Sequence, residues 1–560
     1  MNMLRRALLL LFVLLHVSAL LASEPTGRVA IPRDLLGRDF AVATRVEQVS
    51  RDWWLGRKHL CPGARMYDPQ LVRFAMHGHD SLSVTITADK FHPAPTLLPI
   101  QAWRGDSLVV DLTPFLLALH DGVDILSGNR QPGTLRSSRL AMMRGDIRHV
   151  EARVDYAYIT DSLPPYLISI RKALVLLPDP PMPTRPADPR VGYRNDQSPS
   201  INRFRLRPGQ PVVFHIDDAF PLLWQQAIRQ GITDWNRAFA AIGLPDQLQA
   251  VTFAESGPDF DPFDFTSCTF FRVESHQANA EGRHWCDPRT GEILQADVLF
   301  YSSVIDKLRA WLFLQTSAYF PPARGAISDS LVCRLLRYAA AHEIGHCLGL
   351  EHNFRGSFAY PTDSLRSPSF CRDFGTTASI MDYARFNYVA QPADGVTDVF
   401  PPLLGPYDVY AIRVGYGDFA DESARQSFIA SHQSDARYVY RRASRSAVPR
   451  VADVQPSDLG DDALASTRYG IANLQHILAH IRQWNPDSAD PFTGMAASRL
   501  DCMRYYFELL GHLLPRRAEP AVRSFLDLQL RQGYLFLTYP SLDAELEQMR
   551  SDFLHRLDQP

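Results

Sequence analysis

The sequence predicts an α+β multidomain chain: a β-rich N-terminal domain, a central domain with a mixed sheet and one long motif-bearing helix, and a helical C-terminal domain. Three observations predict it. Apolar residues largely alternate with polar ones through residues 24–177, the period of half-buried strands, whereas beyond residue 400 they recur at three- and four-residue intervals, the period of a helix face. Within residues 178–195, PDPPMPTRPADPR is too dense in proline for regular helix or a central strand and reads as an extended connector. The stretch 196–400 mixes both periods around Ala341–Asn353, AHEIGHCLGLEHN. The expected domains are therefore 24–177, the linker 178–195, then 196–400 and 401–560. A chain of 560 residues, 46% hydrophobic and 21% charged, has room for several cores of this kind.

Taken in order, Met1–Ser23 places Arg5 and Arg6 before an apolar run from Ala7 to Leu21 and then the small residues Ala22 and Ser23. That is the layout of a cleavable secretory signal, and it predicts an exported protein, periplasmic or extracellular. The run is shorter than the ~20 residues of a membrane-spanning helix, and no later segment is long enough to span. Strands are expected at Leu82-Val84-Ile86, Leu108-Val110-Leu112 and Val150 to Tyr158. His77 and His79 in HGHD read as solvated loop residues rather than ligands, and Cys61 is a candidate thiolate cap for a metal only as the minor alternative.

Past the linker, a short strand is expected at Pro211–Ile216, then a helix from Pro221 with Trp224, Ile228, Trp235 and Phe239 on one buried stripe. Asp259, Asp261 and Asp264 lack the glycine and distal glutamate of a calcium loop and read as solvated. Gly282–Asp287 and Glu292–Phe300 are two expected strands joined by a turn. Ser328-Asp329-Ser330 supplies N-cap candidates for a helix from Leu331 to Leu348. Helices follow at Ile471 to Ile481 and Met503 to Leu514. Seven cysteines leave an odd count; Cys268 and Cys286 flank one loop and are the first candidates for a bridge, with buried thiols as the alternative.

The chemistry concentrates in Ala341–Asn353. His342 and His346 stand four apart, so a helix projects both imidazoles from one face to share a metal ion, with Glu343 beside them as a base. His352, ten residues past His342, would lie about 15 Å away on a continued helix, whereas zinc ligands need nitrogen distances of about 2 Å. The helix must therefore stop, and Gly349 is where a left-handed residue can turn the chain back. The full pattern, H-E-x-x-H-x-x-G-x-x-H, is that of metzincin zinc proteases, which also carry a methionine turn; Ser379-Ile380-Met381-Asp382-Tyr383 fits it. One catalytic Zn2+ is the expected cofactor.

Further stretches extend the likeness: LPDPPMPTRPADPRVGY, WNRAFAAIG, DPRTGEILQADV, HEIGHCLGLEHNF, SIMDYARFNYVAQPADG, GPYDVYAIRVGY and DLGDDALASTRYGIANLQ. Together they resemble the large bacterial secreted zinc-dependent metalloproteases with an EcxA-like metzincin catalytic domain. The resemblance implies a metzincin-type mixed sheet with an active-site helix, His342, His346 and His352 as ligands and Glu343 as general base. It also implies Met381 as the floor beneath the metal and Tyr383 as a mobile tyrosine near it.

The expected function is an exported zinc endopeptidase acting on protein or peptide substrates. The same site would serve a cell-wall peptide amidase or peptidase, and a binding protein on a retired metzincin scaffold is the reading from another class; an intact Glu343 speaks against the latter. A net charge of −3 and a pI near 6.7 give no field that favours nucleic acid or an anionic membrane.

Overall fold

The computed structural model describes residues 25–50, 61–87, 95–118, 134–159, 166–195, 199–275, 278–442 and 451–558. The expected signal, Met1–Ser23, lies outside them. Two compact units emerge, Met1–Pro181 with Phe263–Phe265, and Met182–Pro262 with Thr266–Pro560. Among the described residues no helix is long and apolar enough to cross a membrane.

The first unit is all but entirely β. Its strands are β1 (Arg28–Pro32), β2 (Asp39–Val49), β3 (Arg65–His77), β4 (Ser81–Thr87), β5 (Thr96–Pro99), β6 (Ala102–Arg104), β7 (Ser107–Asp111), β8 (Thr134–Asp146), β9 (His149–Ile159) and β10 (Tyr166–Leu176). They form a seven-stranded sheet ordered β5-β4-β3-β2-β10-β9-β8 and a three-stranded sheet ordered β1-β7-β6, every pairing antiparallel. The period-two pattern works as expected: Leu82 and Val84 on β4 and Val150, Val154, Tyr156 and Tyr158 on β9 are buried, because alternate side chains of a strand share a face. His77 and His79 are exposed at the β3–β4 turn, and Cys61 is buried. Asp264 pairs with Arg144 at 3.0 Å, and among the described residues Asp259, Asp261 and Asp264 form no metal-capable trio.

The second unit holds β11 (Arg203–Phe204), β12 (Val212–Ile216), β13 (Leu248–Thr252), β14 (Cys268–Val273), β15 (Ala280–Cys286) and β16 (Glu292–Tyr301). The sheet runs β11-β16-β14-β12-β13 with parallel pairings, and β15 adds to β16 antiparallel as an edge strand. Cys268 and Cys286 therefore lie on strands flanking β16 on opposite sides. Two strand spacings, about 9–10 Å, exceed the ~7 Å that a disulfide can span, so the expected bridge does not form.

One apolar cluster surrounds the helix Asp329–Cys347; it takes in Ile228, Trp235 and Phe239 from the expected stripe and reaches past residue 400 to Tyr407, Ile412, Tyr416, Ile429 and Tyr440. A second cluster is built mainly on the helices Ala463–Trp484 and Arg499–Gly511 and the segments that follow. The end of the proline-rich stretch also joins the first cluster, since Val191 and Tyr193 are buried there. Its backbone docks on the loop after the motif helix: Arg194 N–H donates to the Gly349 carbonyl at 2.8 Å and Glu351 N–H to that of Gly192 at 2.9 Å.

Candidate metal centre

Ser328 is the cap that starts the motif helix, its hydroxyl accepting the Leu331 N–H at 3.3 Å. The helix runs Asp329–Cys347, and its last turns are buried on every side; His342, Glu343 and His346 are only 5–7% exposed. It stops as the motif requires. Gly349 takes φ +96°, while the N–H groups of Gly349 and Leu350 close back on the carbonyls of His346 and Gly345, each at 3.0 Å, a Schellman ending. The reversal brings His352 to His346, with their Nε2 atoms 3.1 Å apart instead of on opposite ends of a long rod.

The three imidazoles converge. One ligand atom from each of His342, His346 and His352 lies within 4.8 Å of the others, and the rings stand 4.5–5.2 Å apart between centroids. A tetrahedral ion with nitrogen ligands at about 2.0–2.1 Å separates those nitrogens by roughly 3.3 Å, so the spacing fits zinc. Outer partners aim the rings: His342 Nδ1 donates to the Ile380 carbonyl at 2.6 Å and His346 Nδ1 to that of Leu350 at 2.8 Å, which turns each Nε2 lone pair inward. Burial lowers His346 well below the usual range, His342 to about 4 and His352 to about 3, with repulsion from neighbouring histidines adding to it at His346 and His352 and the Arg385 charge at His342, so the ligands are neutral at physiological pH.

Glu343 sits between this trio and β15. Its Oε2 accepts the Gly282 N–H at 2.6 Å, and burial raises its carboxyl to about 8, with the Gly282 bond pulling the other way. Strand and helix approach so closely that a Cβ on Gly282 would stand 2.9 Å from the Glu343 carbonyl carbon. Met381 lies under the helix at Gly345, where a Cβ would come within 3.1 Å of its methyl carbon and 2.9 Å of the Trp235 ring. Asp408 holds the methionine turn, accepting from Ser379 Oγ at 2.7 Å, Ile380 N–H at 2.8 Å and Gly405 N–H at 2.6 Å. The Tyr383 ring lies 4.6 Å from His352 and 5.5 Å from His342, and burial pushes its phenol up to about 12.

Residues 324–515 match a family model described as Met-zincin. The chain carries a metzincin-type domain. A second stretch, residues 71–208, matches a model described as a domain of unknown function, and no curated protein and no solved structure matches the chain. The metzincin match contains every residue of the motif and of the methionine turn, points to a zinc metallopeptidase, and implies zinc at the three histidines that the fold assembles.

All seven site residues expected from sequence meet within this domain: the ligands, Glu343, Gly349, Met381 and Tyr383. Sequence reasoning missed those that position them. His284 donates from Nδ1 to the His346 carbonyl at 2.9 Å and receives Asn202 Nδ2 on its other nitrogen at 3.0 Å, and Trp235 Nε1 donates to the Ala341 carbonyl at 2.8 Å. Trp235 and Asp408 lie in stretches that carry the resemblance, and Gly282 and His284 in an expected strand, but none has a spacing that marks a role at the site. Each reaches the site across at least 28 residues of chain, which no local pattern records.

Proposed function

We propose that this chain is an exported zinc endopeptidase that hydrolyses peptide bonds in protein or peptide substrates. The observation that carries the proposal is the convergence of three neutral, backbone-oriented imidazoles beside a buried carboxylate, Glu343. His342, His346 and His352 would hold a zinc ion, which would supply Lewis acidity and lower the pKa of a water from 15.7 towards about 7. Glu343 takes the proton of the attacking water and hands it to the leaving amine. The Gly282 N–H occupies Oε2 and so fixes which carboxylate oxygen is left for the proton. Tyr383, whose hydroxyl has no hydrogen-bond partner among the described residues, donates to the oxyanion that develops on the scissile carbonyl. β15, an edge strand among the described residues, offers an extended substrate a strand to pair with, as peptides commonly bind to sheet edges. Export rests on the pattern of Met1–Ser23.

Metal analysis with a peptide-library digest tests the proposal. One zinc per chain and cleavage of internal peptide bonds are expected. Glu343→Gln should keep the metal and lose turnover, whereas His346→Ala should lose both. Undiminished turnover in Glu343→Gln, or full zinc and activity in His346→Ala, would overturn it.

A further inference from the structure

A cavity of about 200 Å³ opens directly beside Glu343 and His342. Its walls are apolar, from Val304, Leu308, Trp311 and Tyr338, but two cations also line it, Lys307 and Arg385. Glu343 is the sole carboxylate in the lining among the described residues. Arg385 lies over the Trp311 ring, its guanidinium carbon 3.1 Å from the ring centroid, and 5.1 Å from the Tyr383 ring. Its Nη1 donates to Ser457 Oγ at 2.8 Å, and it makes no ion pair among the described residues. Lys307 lies over the same Trp311 ring at 4.8 Å and is exposed at the rim.

We infer that this cavity selects an acidic side chain, glutamate before aspartate, on the residue that supplies the leaving amine, with Arg385 as the specificity-determining residue. The inference rests on the peptidase reading above. The side of the scissile bond follows from Glu343: it lines the cavity, and as the group that hands a proton to the leaving nitrogen it must face that half of the substrate. The charge follows from Arg385. An apolar occupant would strip water from a guanidinium that has one neutral hydrogen-bond partner, which is costly, whereas a carboxylate meets it with charge-assisted bonds. The cation–π contact with Trp311 holds the guanidinium in place, so little freedom is lost when the pair forms. The apolar walls take the methylenes, and their length favours glutamate.

The test uses the zinc-loaded protein and an isosteric pair of peptides, Glu against Gln at the residue after the cleaved bond, alongside a library randomised on both sides of it. Wild type should cut the Glu peptide with a kcat/KM at least tenfold above the Gln peptide, and acidic residues should be enriched at that position alone. Arg385→Gln should bring the ratio to near one mainly through the Glu peptide, while Arg385→Lys should retain a preference for Glu. Should Arg385→Gln not fold, the wild-type ratio still decides. Equal rates for the two peptides, or enrichment of large apolar residues there, would overturn this inference and leave the peptidase reading intact. A zinc-replete protein that cuts no peptide would overturn both.

Discussion

Replacing Gly282 by alanine perturbs the base without removing a ligand side chain. The added methyl would stand 2.9 Å from the Glu343 carbonyl carbon and 3.0 Å from His346 Cβ, where ordinary contact begins at 3.4 Å, and closer still to the Glu343 carbonyl oxygen. Both neighbours belong to a buried helix, so the strand must retreat by upwards of half an ångström, and the 2.6 Å bond from Gly282 N–H to Glu343 Oε2 lengthens with it. Overpacking of this kind costs about 1–3 kcal/mol, which should lower Tm by a few degrees. Misplacing a catalytic group by about an ångström costs on the order of 100-fold, so kcat should fall by roughly 10- to 100-fold. Steady-state kinetics, a thermal melt and metal analysis on one preparation check the reasoning, with zinc content expected to stay near one per chain. A Gly282→Ala protein with wild-type kcat and Tm would show that the close approach neither sets the position of Glu343 nor supports the fold.

Tyr383→Phe keeps the ring against His352 and removes only the hydroxyl; turnover should fall by between tenfold and about 10³-fold with zinc and Tm unchanged, and wild-type turnover would reduce Tyr383 to packing. Because burial holds His342 at about 4 and His352 at about 3, protons compete for the ligands only in acid. Zinc affinity, followed by competition with a chromophoric chelator, should stay nearly flat from pH 8 to about 5 and drop below that, whereas an affinity that declines from pH 6.5 would contradict the buried, neutral trio. Chelated protein should show the matching stability effect: the folded state resists protonation that the unfolded chain accepts at about 6.5, so Tm should fall as pH drops from 6.5 towards 4. In a complex with a peptidic inhibitor, the ligand backbone should make ladder bonds to Ala280–Cys286; a bound peptide making none would exclude the sheet-edge mode.

Much of this molecule was legible in the chain because the information is local. Three histidines, a glutamate and a glycine at fixed spacing specify the chemistry, the helix and its end, since ligand geometry and the 1.5 Å rise leave no other way to bring His352 back. Periods of two and of 3.6 residues likewise announced β4, β9 and the helix Ala463–Trp484, because a strand or helix with one buried face must repeat its apolar residues at that interval. The boundary of the core was less visible. Position 400 ends a run of mixed pattern, yet Tyr407, Tyr416 and Tyr440 pack into the cluster around the motif helix, because burial depends on which surfaces meet and not on where a period changes.

Tertiary structure alone decided how the site is held and what it selects. The carbonyls of Ile380 and Leu350 that orient the imidazoles, the Gly282 N–H on Glu343, and Asp408 beneath the methionine turn are backbone groups or single residues without spacing. Cys268 and Cys286, neighbours along one loop, are separated in space by β16, since strand order is settled by the whole sheet. Arg385 shows the same limit most clearly. In the sequence it is one arginine two residues past a tyrosine, and only the packing of the helix Val304–Thr316 against the motif helix makes it a guanidinium lining a cavity beside the base. A motif records which groups can do chemistry, while selectivity comes from surfaces brought together across the fold.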